Sequence, residues 1–225
     1  MSRLSATGLQ LIAGSFTLSN LPLLETIELA TNGTSNENLN WNLSPLLYNV
    51  SSQMFSNNMT ISNTGLQNLN FLNTPLGSKD GESMLDPKDT ILIQNNPYLQ
   101  SINISLTSFS FLEITNNSGV TDVGFPLLGE LEGTITISNN SINAFYLPNL
   151  RTFSAFSFTH NDAIQSLSLP NVTDFTYWVT IENNPQLQTI NLPELRSIGG
   201  NADISGNLTR YVLAQHHPLL TATKF

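Results

Sequence analysis

Between Ala155 and Asn207 one short pattern is written three times in close succession, and the copies superpose residue on residue. Each copy opens with two apolar residues one apart, Phe156/Phe158, Val179/Ile181 and Ala202/Ile204, and a polar corner at His160, Asn183 or Gly206 follows two residues later. A second apolar set, Ile164/Leu167/Leu169 or Leu187/Ile190/Leu192, runs up to Pro170 or Pro193. A third pair, Val172/Phe175 or Leu195/Ile198, closes each complete copy. A unit this short cannot bury its apolar residues alone. Copies at a fixed period must stack and share a continuous core, which makes the chain a solenoid.

The period extends well beyond these copies. Ile93, Ile114, Ile137, Phe158, Ile181 and Ile204 follow one another at 21 to 23 residues. Upstream, Phe16/Leu18 with Leu24/Ile27/Leu29, and Met59/Ile61 with Leu66/Leu69/Phe71, fit the same template. Leu18 and Ile61 stand 43 apart, which is two periods or one period with a long insertion. Trp41, Leu43, Pro45 and Leu46 offer a degenerate coil, but residues 31–53 fit the template poorly and are expected to loop off it. Residues 74–88, rich in Gly, Pro and charge, are expected to form a second surface loop. Leu9/Ile12 match Leu195/Ile198, with Gly14 in the place of Gly200, and read as the end of a coil.

Period-two alternation, as in Thr134-Ile135-Thr136-Ile137-Ser138, and recurring Asn-Asn, Asn-Pro and Leu-Pro corners call for strands joined by bends. No apolar stripe at helical spacing runs a dozen residues without meeting Pro, Gly or an Asn pair. Stacking equivalent strands about 4.8 Å apart makes parallel sheets. The expected fold is therefore all-β, a right-handed parallel β-solenoid of about eight coils with a period near 22 residues. It occupies residues 1–209 as one domain, with insertions at 31–53 and 74–88 and an irregular tail at 210–225.

Composition narrows the function classes. The net charge is -9 with only 7 Lys plus Arg in 225 residues. A nucleic-acid partner or an anionic membrane surface would need a basic patch, and none is available. Zero Cys removes disulfides, Cys-ligated zinc and a thiol nucleophile. Neither an 18-residue apolar run nor a complete signal peptide is visible.

The corner residues Asn20, Asn63, Asn95, Asn116, Asn139, His160 and Asn183 each lie two residues past an inward apolar position. Continued alternation would point them inward, where stacked Asn side chains can pair backbone groups that a bend leaves open. A structural ladder is expected of them, with His160 a substituted corner residue and no catalytic base. His216 and His217 have no carboxylate or thiol companion nearby in sequence.

Written as apolar-x-apolar-x-Asn-Asn-Pro-x-Leu-x-x-Ile-x-Leu-Pro-x-Leu-x-x-Ile-Gly-Gly, the repeat resembles the receptor L-domain, leucine-rich-like repeats of fungal GPI-anchored cell-wall organisation proteins. Their distant relatives are the L domains of the insulin and epidermal growth factor receptors. The likeness is closest over Thr90 to Asn207 and is carried by Ile181-Glu-Asn-Asn-Pro-Gln-Leu through Ile198-Gly-Gly. It implies a secreted, N-glycosylated, non-enzymatic protein of the cell wall or outer plasma-membrane surface that contributes to wall integrity. It implies no cofactor and no catalytic residue. The implied partners are wall polysaccharide or wall proteins, and a membrane only through a GPI anchor in full-length relatives. The signal peptide and GPI signal of that family are not visible here, and Arg210 to Phe225 follows no repeat rule. An incomplete copy is expected, with uncapped ends that self-associate end to end.

Acceptor triplets for N-glycosylation stand at Asn32, Asn49, Asn58, Asn103, Asn171 and Asn207. Asn42 is weakened by Pro45, and Asn116 and Asn139 are expected to face inward and to be poorer acceptors. Asn103, between inward Ile102 and Ile104, must face out.

Rival functions leave weaker marks. A polysaccharide-cleaving β-helix needs clustered or paired acids. The outward ladder Thr17, Thr60, Leu92, Glu113, Thr136, Ser157, Thr180, Asp203 holds two separated acids, and its neighbour Ser19, Ser62, Gln94, Thr115, Ser138, Thr159, Glu182, Ser205 holds one. Glu130/Glu132 reads as a solvated corner. The acids of Asp80 to Asp89 read as a solvated insertion, since their spacing fits no EF-hand. An adhesin or ice-binding solenoid would use the Thr-bearing face, which Leu92, Glu113 and Asp203 interrupt. Trp41, Tyr177 and Trp178 could offer a sugar-stacking platform. By register Tyr177 should point inward and Trp178 outward, where Trp178 is expected to pack on a neighbouring side chain or loop.

Overall fold

Alternation, short spacing and bends produce stacked parallel strands, with no α-helix among the described residues. The structure is a computed structural model and describes residues 2–6, 16–29, 35–44, 46–47, 49–51, 55–70, 90–105, 109–129 and 131–213. The strands are, in chain order, β1 (Arg3–Ala6), β2 (Phe16–Ser19), β3 (Thr26–Leu29), β4 (Ser35–Ser44), β5 (Asn49–Ser51), β6 (Phe55–Thr64) and β7 (Thr90–Gln94). They continue as β8 (Ser101–Asn103), β9 (Phe111–Thr115), β10 (Asp122–Gly124), β11 (Thr134–Ser138), β12 (Ala144–Tyr146) and β13 (Thr152–Thr159). The last are β14 (Ser166–Ser168), β15 (Asp174–Glu182), β16 (Thr189–Leu192), β17 (Ser197–Ile198), β18 (Ala202–Ile204) and β19 (Arg210–Leu213).

Ten of these form one broad parallel sheet, ordered β17-β15-β13-β11-β9-β7-β6-β4-β2, with β18 also paired to β15. The strands between them form three short sheets, β1-β3-β5, β8-β10-β12 and β14-β16-β19. Registers follow the sequence repeat. Ile61, Ile93, Ile114, Ile137, Phe158 and Ile181 stack in one inward ladder and Met59, Ile91, Leu112, Ile135, Phe156 and Val179 in the next. All of them are buried. Each apolar row thus covers the rows above and below it, so the repeats are stable only as a stack. Toward the C-terminal turns the filling becomes aromatic. Phe153 meets Phe175 edge-on at 4.7 Å between ring centres, and Phe156 lies 5.9 Å from Phe158, separations at which aromatic pairs attract.

About six turns repeat at a period of about 23 residues, fewer than the eight expected. The regular turns begin at β7, and the rungs before it are irregularly spaced. Leu18, Trp41, Ile61 and Ile93 are in register along the sheet, yet the steps between them are unequal. The expected loop at 31–53 is corrected here. Ser35–Ser44 is the rung β4, paired with β2 on one side and β6 on the other, and Asn49–Ser51 adds β5 to the neighbouring sheet. Leu39-Asn40-Trp41 alternates as in the other rungs, but Leu43 stands where they have the corner Asn, and backbone pairing to two neighbours does not require that corner. The tail is corrected in part, because Arg210–Leu213 pairs with Thr189–Leu192 as a further strand. Leu9/Ile12, the loop at 74–88 and residues 214–225 lie outside the described residues.

Candidate functional site

The bends that end each strand of the broad sheet decide which side chains reach the surface. Asn20, Asn63, Asn95, Asn116, Asn139, His160 and Asn183 all have left-handed backbone, with φ between 53 and 57. Asn tolerates that region better than most residues with a Cβ, which explains its recurrence. The left-handed step breaks the alternation, so these side chains turn outward and the following residue turns in. The inward ladder expected of them therefore belongs to their successors, and Asn20, Asn95, Asn116, Asn139, His160 and Asn183 are exposed.

The buried ladder is Asn96, Asn117, Asn140, Asn161 and Asn184. Each donates from Nδ2 to a carbonyl of its own turn and to one of the preceding turn, as Asn140 does to Ser138 and Ile114, both at 2.9 Å. Each of the last four accepts on Oδ1 the backbone N–H of the ladder Asn before it, at 2.9 to 3.3 Å. At the N-terminal side Thr64 donates its N–H and its hydroxyl to Asn96 Oδ1, at 3.0 and 2.7 Å. Interior amides are thereby satisfied by design of the repeat and are not left to seek a ligand. The periodic Asn-Asn doublets carry the signal for this ladder, except at Asn161, which follows His160.

Six of the candidate acceptor asparagines, Asn58, Asn103, Asn116, Asn139, Asn171 and Asn207, are exposed. Asn116 and Asn139 are corrected by the same bend geometry: they face solvent in neighbouring turns, where Asn139 Nδ2 donates to Asn116 Oδ1 at 2.6 Å. Asn171 sits at another corner and donates to the Pro148 carbonyl at 2.5 Å. Asn42 and Asn49 lie on β4 and β5 with side chains outside the described residues, as is Asn32 altogether.

The outer face of the broad sheet carries the two ladders read from the sequence. From β7 to β15 it holds none of the acceptor triplets. Its side chains bond to one another: Gln94 Nε2 donates to Glu113 Oε1 at 2.7 Å, and the hydroxyls of Ser138 and Thr159 lie 3.0 Å apart. Glu113 and Asp203 are separated by three intervening strands, about 19 Å at the usual spacing, so they do not act as a pair. Among the described residues no three metal-ligating side chains come together. Glu132 is exposed, whereas Glu130, Asp80 to Asp89, His216 and His217 lie outside the described residues.

The regular face ends in a local irregularity. Between Phe175 and Trp178 β15 has one residue more than β13 has between Phe153 and Ala155, a β-bulge. The extra residue corrects the expected direction of Tyr177, which is 65% exposed beside Trp178 at 38%. The next turn brings Gly199 and Gly200 against this bulge. A Cβ on Gly200 would stand 2.2 Å from the Tyr177 carbonyl oxygen, so no larger residue fits without displacing backbone. Tyr177, Trp178, Thr180, Gly200, Asn201 and Asp203 then line an open cleft of about 480 Å³. Trp41, six strands away in the sheet, is not brought to it.

Where β15 pairs with β17, the Ser197 hydroxyl donates to Asp174 Oδ1. That bond, more than the Thr173 hydroxyl and the Arg196 charge, holds the Asp174 carboxyl below its ordinary value against a smaller upward push from burial. Comparison with models of known families, with curated proteins and with solved structures found no match for this chain.

Proposed function

We propose that this is a non-enzymatic secreted glycoprotein of the fungal cell surface or cell wall that contributes to wall organisation and integrity. The observation that carries the reading is where the acceptor asparagines fall. Those described with their side chains are exposed, and from β7 to β15 they stand on bends and on the short sheets, off the broad face. Glycans at these positions would cloak the bends and leave the broad face open for wall polymer or a wall protein. The resemblance of the repeat to receptor L-domain wall proteins points the same way. So does the interior, where the ladder amides are consumed in holding turns together.

The test is localisation with the native gene tagged internally on an exposed bend. Recovery in the wall or outer-membrane fraction, a mobility increase on endoglycosidase treatment and sensitivity of a deletion strain to wall-binding dyes are expected. A cytosolic protein whose mobility the enzyme leaves unchanged would overturn the reading.

A further inference from the structure

The cleft at the β15 bulge interrupts a face on which the earlier strands pair side chains across rungs, as Gln94 does with Glu113 and Ser138 with Thr159. The bulge turns a phenol and an indole outward side by side, and Gly199 and Gly200 in the following turn place no side chain over them. Asn201 and Asp203 stand at the edge, and their side chains have no hydrogen-bond partner among the described residues. Thr180 adds a hydroxyl. This is a pair of apolar plates beside a small set of unspent donors and acceptors.

We propose that the Tyr177/Trp178 cleft is a subsite for a neutral hexopyranose polymer. The proposal deepens the cell-wall reading and rests on it for the source of the polymer. A pyranose ring presents a face of C–H groups that packs on an exposed indole or phenol, and its equatorial hydroxyls meet an amide, a carboxylate and a hydroxyl at the rim. About 480 Å³ falls within the range of small-ligand sites, and because the cleft is open, an internal stretch of a polymer can lie across it. Charge selects against anionic polymers: Asp203, Glu182 and Glu113 share this face in a chain of net charge -9.

The experiment titrates the full chain with laminarihexaose, cellohexaose and mannohexaose, followed by calorimetry and by indole fluorescence in a Trp41→Phe background, which leaves Trp178 as the reporter. Saturable binding of at least one hexasaccharide with a change in Trp178 emission is expected. Trp178→Ala should weaken that binding about tenfold or more, the loss of one stacking plate. Asp203→Asn should weaken it several-fold, Leu92→Ala on the distant part of the face should leave it unchanged, and all three variants should keep the wild-type melting transition. Absence of saturable binding for all three probes, or binding indifferent to Trp178→Ala, would overturn the proposal. A protein that fractionates with the wall as a glycoprotein yet binds no hexasaccharide removes the cleft and leaves the wall reading standing. A cytosolic, unglycosylated protein that binds through Trp178 removes the wall reading and keeps the subsite.

Discussion

The side-chain oxygen of Asn117 accepts the backbone N–H of Asn96, one turn earlier, at 3.0 Å. The amide of the same residue donates to the carbonyls of Ile93 and Thr115 at 2.9 and 3.0 Å. One buried side chain therefore serves three backbone groups of two successive turns.

Replacing it separates the two roles of the Asn-Asn doublet. Asn117→Ala strands the buried Asn96 N–H and takes a bond from the Ile93 carbonyl, each costing about 1 to 3 kcal/mol, while the Thr115 carbonyl keeps the Asn95 N–H at 3.1 Å, so a total loss of a few kcal/mol is expected. Asn116→Ala, one residue earlier and exposed, should cost only about 1 to 2 kcal/mol from its left-handed backbone, and Asn116→Gly should recover most of that. Urea unfolding of the three variants measures the difference, and equal losses for Asn116→Ala and Asn117→Ala would contradict the ladder.

The broad sheet gives a second contrast between adjacent residues. Ile137 is buried between Ile114 and Phe158, whereas Thr136 lies on the outer face between Glu113 and Ser157. Ile137→Asp should cost several kcal/mol by burying an unpaired charge. Thr136→Asp should stay within about 1 kcal/mol, the excess over an ordinary surface change coming from the like charge of Glu113. Similar drops in melting temperature for the two would mean that the register is wrong.

At the bulge, Gly200→Ala sets a Cβ against the Tyr177 carbonyl. The last turn must shift, so the near-ultraviolet dichroism of the Tyr177/Trp178 pair should change while the far-ultraviolet spectrum of the earlier turns persists. An unchanged aromatic spectrum would show that the strands do not approach so closely.

The repeat made most of this architecture readable before any coordinates. Inward and outward residues of β7, β9 and β11 follow from alternation alone, because pairing on both sides leaves a strand no freedom of register. Three things escaped for local reasons. The left-handed bend shifts the inward ladder from Asn116 to Asn117, and φ is not written in a period-two pattern. The bulge before Trp178 reverses Tyr177, and an inserted residue shows only when β13 and β15 are laid side by side. Finally, β4 alternates at Leu39 and Trp41 but has Leu43 in place of the corner Asn, so its rung is settled only by its pairing with β2 and β6. The cleft inherits two of these surprises, the bulge and the paired glycines opposite it, so its aromatic residues were visible in the sequence and their arrangement was not.

Asp174 supplies a pH dependence. Its folded carboxyl titrates below the ordinary 3.8 chiefly through Ser197, so its stabilising contribution is full above the unfolded value and is lost as pH falls through the folded one. Ser197→Ala should lower stability at neutral pH and flatten the decline as pH falls through and below the ordinary 3.8. The effect is small because the carboxyl is only partly buried. An acid limb identical to wild type would remove Ser197 as the cause.

Glycopeptide mass spectrometry of the protein purified from its own cells, after enzymatic release of glycans in heavy-oxygen water, tests the central claim most directly. The account predicts label at outward acceptors, Asn103 and Asn171 among them, and at Asn116 and Asn139, which the bend turns to solvent. Unlabelled asparagine at every one of these positions would contradict it.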